Sequence, residues 1–191
     1  SFGTKQVLRN VNAEIKNVVR PGMNQGQVVG FLGPSGRGKT QLFRILAGLQ
    51  QPTSGQVLVG EKLQPVTVGD VGVVDQHYTL FDHRTVGGNL MVAGGLAGLK
   101  KKDSEAKARE LLKRFQLEDR WSDYPNKLSG GQRQRVAITQ QLMCPRGYLL
   151  MDEPFSGLDP NMKSEACDLI MEGAAMDELF TIIVITHDVA S

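Results

Sequence analysis

The stretch "GPSGRGKT", Gly33–Thr40, sets glycines, a lysine and a hydroxyl residue at the spacing G-x-x-x-x-G-K-[ST]. It follows the apolar run "GQVVGFLG" and precedes Leu42, Ile45, Leu46 and Leu49, which recur at helical spacing. The chemistry of that pattern is phosphate binding. Glycines let the backbone curl so that successive N–H groups converge on phosphate oxygens. The positive end of the following helix adds to the attraction. Gly33, Pro34, Ser35, Gly36, Arg37, Gly38, Lys39, Thr40 and Gln41 are therefore candidate nucleotide-binding residues. Lys39 would neutralise the β- and γ-phosphates of a nucleotide, and the Thr40 hydroxyl would coordinate Mg²⁺.

A metal and an attacking water both need acids, and "YLLMDEP" (Tyr148–Pro154) supplies two at the end of an apolar run. Asp152 fits the position that holds Mg²⁺, directly or through water. Glu153, one step further, points the other way along a strand and can accept a hydrogen bond from water. Binding a triphosphate needs only the loop and the metal, so Glu153 is the residue that argues for hydrolysis. A second anion reader lies in "NKLSGGQRQR" (Asn126–Arg135). Ser129 and the amides of Gly130 and Gly131 stand at an expected helix N-terminus, a good anion site with no lysine or metal ligand of its own.

The elements that must position these groups are legible as alternating or continuous apolar runs. Strands are expected at "KQVLRNVNAEI", "GQVVGFLG", "GQVLVG", "VGVVDQ", "GYLLMD" and "TIIVIT", with turns at "RPGMNQG", "QPTSG" and "VGD". Helices are expected from Leu90 to Leu117, broken near "AGGLAG", from Ser129 to Met143, and from Asn161 to Met176. Ala108, Leu111, Leu112 and Phe115 form an apolar stripe, and Glu105–Arg109 and Glu110–Arg114 are spaced as supporting pairs. Strands alternating with helices imply an α/β fold whose parallel sheet is covered on both faces.

A chain of 191 residues is about one domain's length. Its formal charge of +2 creates no global field to recruit nucleic acid or membrane. Cys144 and Cys167 match no metal spacing and are read as buried thiols of a reducing compartment. No signal-peptide pattern stands at the start, and runs such as "TIIVIT" are too short to span a bilayer, so any membrane part is expected on another chain. "KKK" at 100–102 is read as a solvated loop, and His77 and His83 as surface residues.

With the phosphate loop, "LSGGQ" and "LLMDEP" in this order, the chain resembles an ATP-binding cassette (ABC) nucleotide-binding domain of the importer-like kind. The resemblance implies a P-loop NTPase core with a parallel sheet, an antiparallel β arm near the N-terminus and an inserted α-helical subdomain. It implies one domain over 1–191, with core and arm at 1–76 and 145–191 and the helical subdomain at about 77–144. Phe2 falls where the family places an aromatic that stacks on adenine, and stacking is the reading taken, although a lone phenylalanine near a terminus is usually core or surface. Gln76 matches the Q-loop glutamine, near metal and water. Leu128, Ser129, Gly130, Gly131 and Gln132 match the signature, and Ser156, Gly157, Leu158 and Asp159 the D-loop. His187 matches the switch histidine, which would hydrogen-bond the γ-phosphate and help order Glu153.

In this family two domains pair head to tail, and each signature completes the ATP site of the other chain. The partners implied are a second nucleotide-binding domain (the same chain or a paralogue), transmembrane permease subunits and a substrate-binding protein. No nucleic acid is expected. The location implied is cytoplasmic, peripheral on the inner membrane. The function implied is an ATPase that couples dimer closure and hydrolysis to solute transport, more an importer's than an exporter's. The alternative is a non-transport clamp in DNA repair or translation, whose long coiled-coil insertions or paired cassettes are not present. "QHYTLFDHRTVGGNL" resembles the importer pattern but departs from it at Asp82, where proline is common, and at Gly87–Gly88, where Ala-Glu is common. Both departures are expected to weaken a helix start. Gln41 departs mildly from a frequent second hydroxyl. Against the family the chain is expected to be short at both ends, beginning near Phe2 and stopping at Ser191, shortly after His187.

Overall fold

In a computed structural model, the described residues are 7–16, 26–34, 36–144, 147–155, 163–164, 167–168, 170–171, 174–175 and 180–186. They form two compact units. The first comprises residues 1–76, 146–158 and 170–191, and the second 77–145 and 159–169.

The first unit is built on a four-stranded parallel sheet. Its strands are β1 (Gln27–Leu32), β4 (Gly72–Val74), β5 (Tyr148–Asp152) and β6 (Thr181–Thr186), in the order β1-β6-β5-β4. The runs "LLM" and "TIIVIT" are continuously apolar because β5 and β6 are central strands with neighbours on both sides. β1 instead alternates half-buried and exposed residues. Register places Leu32 opposite Thr186, and Asp152 opposite Ile185. The carboxyl ends of β1, β6 and β5 therefore finish together on one edge, where ligands bind in open parallel sheets.

Helix α1 (Lys39–Leu46) returns from β1 and packs Phe43 and Ala47 into a core shared with Val66, Val71, Leu150 and Ile185. A short antiparallel pair, β2 (Leu58–Val59) with β3 (Gln64–Pro65), supplies the small second sheet. The described residues between 163 and 174 are helical, within the helix expected there. The strand expected at "KQVLRNVNAEI" is not found among the described residues: 7–16 are irregular, and 9–16 are exposed. Alternation alone makes no strand without a neighbour to pair with. "GQVLVG" likewise contributes only the two residues of β2.

The second unit is helical: α2 (Val86–Leu96), α3 (Lys101–Arg114) and α4 (Gly130–Leu142). Leu90, Leu111, Leu112, Phe115, Leu117, Ile138 and Met143 are at most 2% exposed and form its core. Helix α2 starts at Val86, earlier than apolar periodicity suggests, because Thr85 caps it by accepting the Gly88 N–H at 3.1 Å. Asn89, fully buried, accepts the Phe81 N–H at 2.8 Å and donates to the carbonyls of Phe81 and Thr85 at 3.2 and 2.9 Å. That amide fastens the preceding loop to the helix. Gly87 is explained by packing, since a Cβ there would overlap the Trp121 ring. The backbone N–H groups of Val86 and Gly87 donate to Asp123 and Trp121 at 2.8 and 2.9 Å. The helix start expected to be weak is therefore held from outside.

Cys144 is buried as expected, but Cys167 is only half-buried. His77, His83 and Lys100–Lys102 are exposed. The three lysines are not simply loop: Lys100 immediately precedes α3, and Lys101 and Lys102 open it.

Candidate functional site

The phosphate loop leaves β1 and enters α1 through Gly38, at φ 94°. A side chain there would also meet Val7, so the turn requires glycine on two counts. Beyond it, the amides of Lys39, Thr40 and Gln41 lie in the first turn, where an α-helix offers them no acceptor. Pro34, Gly36, Arg37 and Thr40 are exposed, while Gly33, Gly38, Lys39 and Gln41 are half-buried. The Lys39 Nζ donates to the Gly33 carbonyl at 2.8 Å, folding its side chain back across the loop.

Glu153 reaches the same ammonium from another strand. Its Oε1 lies 3.3 Å from Lys39 Nζ, with the side chains 15% and 13% exposed. β1 and β5 are separated by β6, a span of about 10 Å at normal strand spacing. Only a long side chain from one loop could meet a carboxylate from the other. Glu153 is steered by its backbone: φ is 49°, unusual for a residue with a side chain, and its N–H donates to the Ile185 carbonyl at 2.8 Å. Its Oε2 accepts the Thr186 hydroxyl at 3.0 Å. The phosphate loop and the acidic turn are thus joined through the end of β6, where the Gly33 N–H donates to the Thr186 carbonyl at 3.2 Å.

Asp152 closes β5 beside this cluster. Its carboxyl is raised above the ordinary carboxylate range, mainly by burial and then by Glu153 and Asp75, with Lys39 opposing. Asp152 and the Thr40 hydroxyl supply oxygen donors of the kind that a hard divalent cation takes. Gln76 lies just beyond β4 and is exposed.

The signature residues belong to the second unit. Ser129 caps α4 by accepting the Gln132 N–H at 3.3 Å, while the Gln132 side chain accepts the Ser129 N–H at 3.0 Å. This is a full capping box, and "SGGQ" is its sequence form. It leaves Ser129 and Gly130 exposed at the N-terminus with first-turn amides available to an anion. Arg133, one residue past the box, donates to Asp82 at 3.1 Å and to the Tyr78 carbonyl at 3.4 Å. Asp82, a departure from the importer pattern, is therefore the signature helix's ion-pair partner. Burial pushes the Tyr78 hydroxyl up to about 12.

The structure thus brings Gly33, Lys39, Asp152 and Glu153 together in one unit and sets Ser129–Gln132 on a helix of the other. Phe2, Ser35, Ser156–Asp159 and His187 lie outside the described residues. Sequence reasoning misses Thr186. Its only signal is a hydroxyl beside His187 at the end of an apolar strand.

Comparison with known proteins shows the family. Residues 17–156 match the family described as ABC transporter. The chain is 44% identical to a probable sulfate/thiosulfate import ATP-binding protein, CysA, of Chlorella vulgaris, over 98% of this chain and 77% of that one. It is 37% identical to the glutamine transport ATP-binding protein GlnQ of Escherichia coli (strain K12), over 98% of this chain and 78% of that one. Among solved structures, a dimeric bacterial ABC transporter cassette superposes with a TM-score of 0.73 at 30% identity, over 95% of this chain and 80% of that one.

Proposed function

Since the chain belongs to the ABC transporter family, whose cassettes hydrolyse ATP to drive transport, we propose that it is the ATPase subunit of a multi-subunit importer. The observation that carries the reading is Glu153, 3.3 Å from the phosphate-loop lysine and next in sequence to Asp152. A binding module needs only the phosphate loop and the metal. A carboxylate beside the lysine is placed to receive the proton of a water that attacks the γ-phosphorus in line.

The phosphate-loop amides and Lys39 hold the β- and γ-phosphates, and the α1 N-terminus stabilises the charge that develops on them. Thr40, Asp152 and Gln76 would hold Mg²⁺, which on binding would neutralise phosphate charge. Phe2 stacks on adenine, and His187 contacts the γ-phosphate. The signature, Leu128–Gln132, is directed at a nucleotide on a second cassette, because its helix terminus offers anion-binding amides without a phosphate loop of its own. Ser156–Asp159 keep the sequence match to the D-loop. ATP then acts as the bond between two cassettes, and hydrolysis releases them.

Import is supported by the CysA relative, which is named for sulfate/thiosulfate import, and transport of a small solute also by GlnQ, which is named for glutamine transport. No helix among the described residues is long and apolar enough to cross a membrane. On this reading permease subunits carry the channel, a substrate-binding protein delivers the solute, and the cassette sits on the cytoplasmic face. The test is vesicle reconstitution with a co-purified permease: solute uptake that requires ATP on the cassette side supports import. ATP-driven movement in the opposite direction would replace import with export.

A further inference from the structure

Thr186 closes β6 at 3% exposure and makes contacts in two directions. Its carbonyl accepts the N–H of Gly33, the first residue of the phosphate loop, at 3.2 Å. Its hydroxyl donates to Glu153 Oε2 at 3.0 Å. The other oxygen of Glu153 faces Lys39. The carboxylate is therefore held at both oxygens, by a hydroxyl on a central strand and by an ammonium on the phosphate loop.

These two restraints behave differently when ATP binds. A triphosphate competes with Glu153 for the Lys39 ammonium, because phosphate oxygens carry more charge than one carboxylate. The Thr186 hydroxyl carries no charge, so a triphosphate draws on it far less than on the ammonium. Its rotamer is stiff because threonine is β-branched, and its backbone is fixed in β6 opposite Leu32. Glu153 needs that second restraint, since its turn has a positive φ that leaves the side chain outside the strand pattern.

We propose that Thr186 is a positioning residue for hydrolysis: its hydroxyl keeps the Glu153 carboxylate aimed while phosphate engages Lys39. The proposal rests on the reading of Glu153 as the base. Small displacements matter at such a point, since an error of about 1 Å in a reacting group costs about 100-fold in rate.

Two substitutions separate positioning from packing. Thr186→Val keeps the shape and loses the hydroxyl, whereas Thr186→Ser keeps the hydroxyl and loses a buried methyl. In steady-state phosphate release from MgATP with the full chain, Thr186→Val is expected to lower kcat about tenfold or more. KM should change less than about twofold, because the group acts through Glu153 and not on ground-state binding. Thr186→Ser should keep kcat within about twofold while melting lower than the valine variant, since it gives up apolar burial. Wild-type kcat in the valine variant, or a serine variant as slow as valine, would overturn the assignment. If Thr186→Val does not fold, Thr186→Ala against Thr186→Ser makes the same comparison across a single oxygen, and equal rates would overturn it. Glu153→Gln in the same assay tests the base separately. If it turns over normally the base reading falls, whereas if it stops and Thr186→Val does not, only Thr186 loses its role.

Discussion

Lys39 and Glu153 meet at 3.3 Å although they leave strands that are not neighbours in the sheet. The pair is largely sheltered from solvent, so salt screens it weakly. On the proposed function, Lys39 contacts phosphate and Glu153 contacts the attacking water. Their contact makes nucleotide binding and base placement one event: phosphate that claims the ammonium releases the carboxylate.

Replacing Glu153 by Gln removes a competitor for Lys39 and the proton acceptor together. Turnover should fall by about 10²–10⁴-fold, the range for losing a positioned base. ATP affinity, measured by equilibrium titration, should hold or rise several-fold. A fall in affinity would mean that the pair organises the loop rather than competing with phosphate.

Lys39→Ala should weaken ATP binding by about 10- to 100-fold, the range for hydrogen bonds to a charged group. Fluorescence titration checks this. Unchanged affinity would move the nucleotide away from Gly33–Thr40.

Chelation of Mg²⁺ with EDTA should stop phosphate release, and added Mg²⁺ should restore it, because Asp152 and Thr40 are read as its protein ligands. Asp152→Asn should need more Mg²⁺ for half-maximal rate. Full activity in EDTA would remove the metal from the account.

Gly87→Ala tests the helical unit. The added methyl must displace the Trp121 ring, which also stacks under Arg109 at 4.1 Å. Overpacking of this kind costs about 1–3 kcal/mol, so thermal unfolding should shift down by several degrees. An unchanged midpoint would show that the ring has room to move.

Much of this architecture is legible in the sequence. "TIIVIT" and "YLLMD" read as buried strands because central parallel strands are apolar on both faces. "SGGQ" marks the start of α4 because a capping box is a local motif. What escapes is non-local. That Lys39, Glu153 and Thr186 converge depends on β6 inserting between β1 and β5, an order no short pattern encodes. Gly87 looks like a weak helix start because its reason, Trp121, lies far along the chain. Residues 7–16 err the other way, since their alternation suggests a strand where none forms.

One chain, on this account, carries half of each ATP site: the phosphate loop for its own nucleotide and Ser129–Gln132 for another's. Light scattering with MgATP, comparing Glu153→Gln with the double variant Glu153→Gln/Ser129→Arg, tests it most directly. An ATP-dependent dimer is predicted for the single variant. A monomer that still binds ATP is predicted for the double variant, because arginine blocks the signature without touching the chain's own loop. A double variant that loses ATP binding as a monomer would contradict this, placing the signature on its own chain's nucleotide.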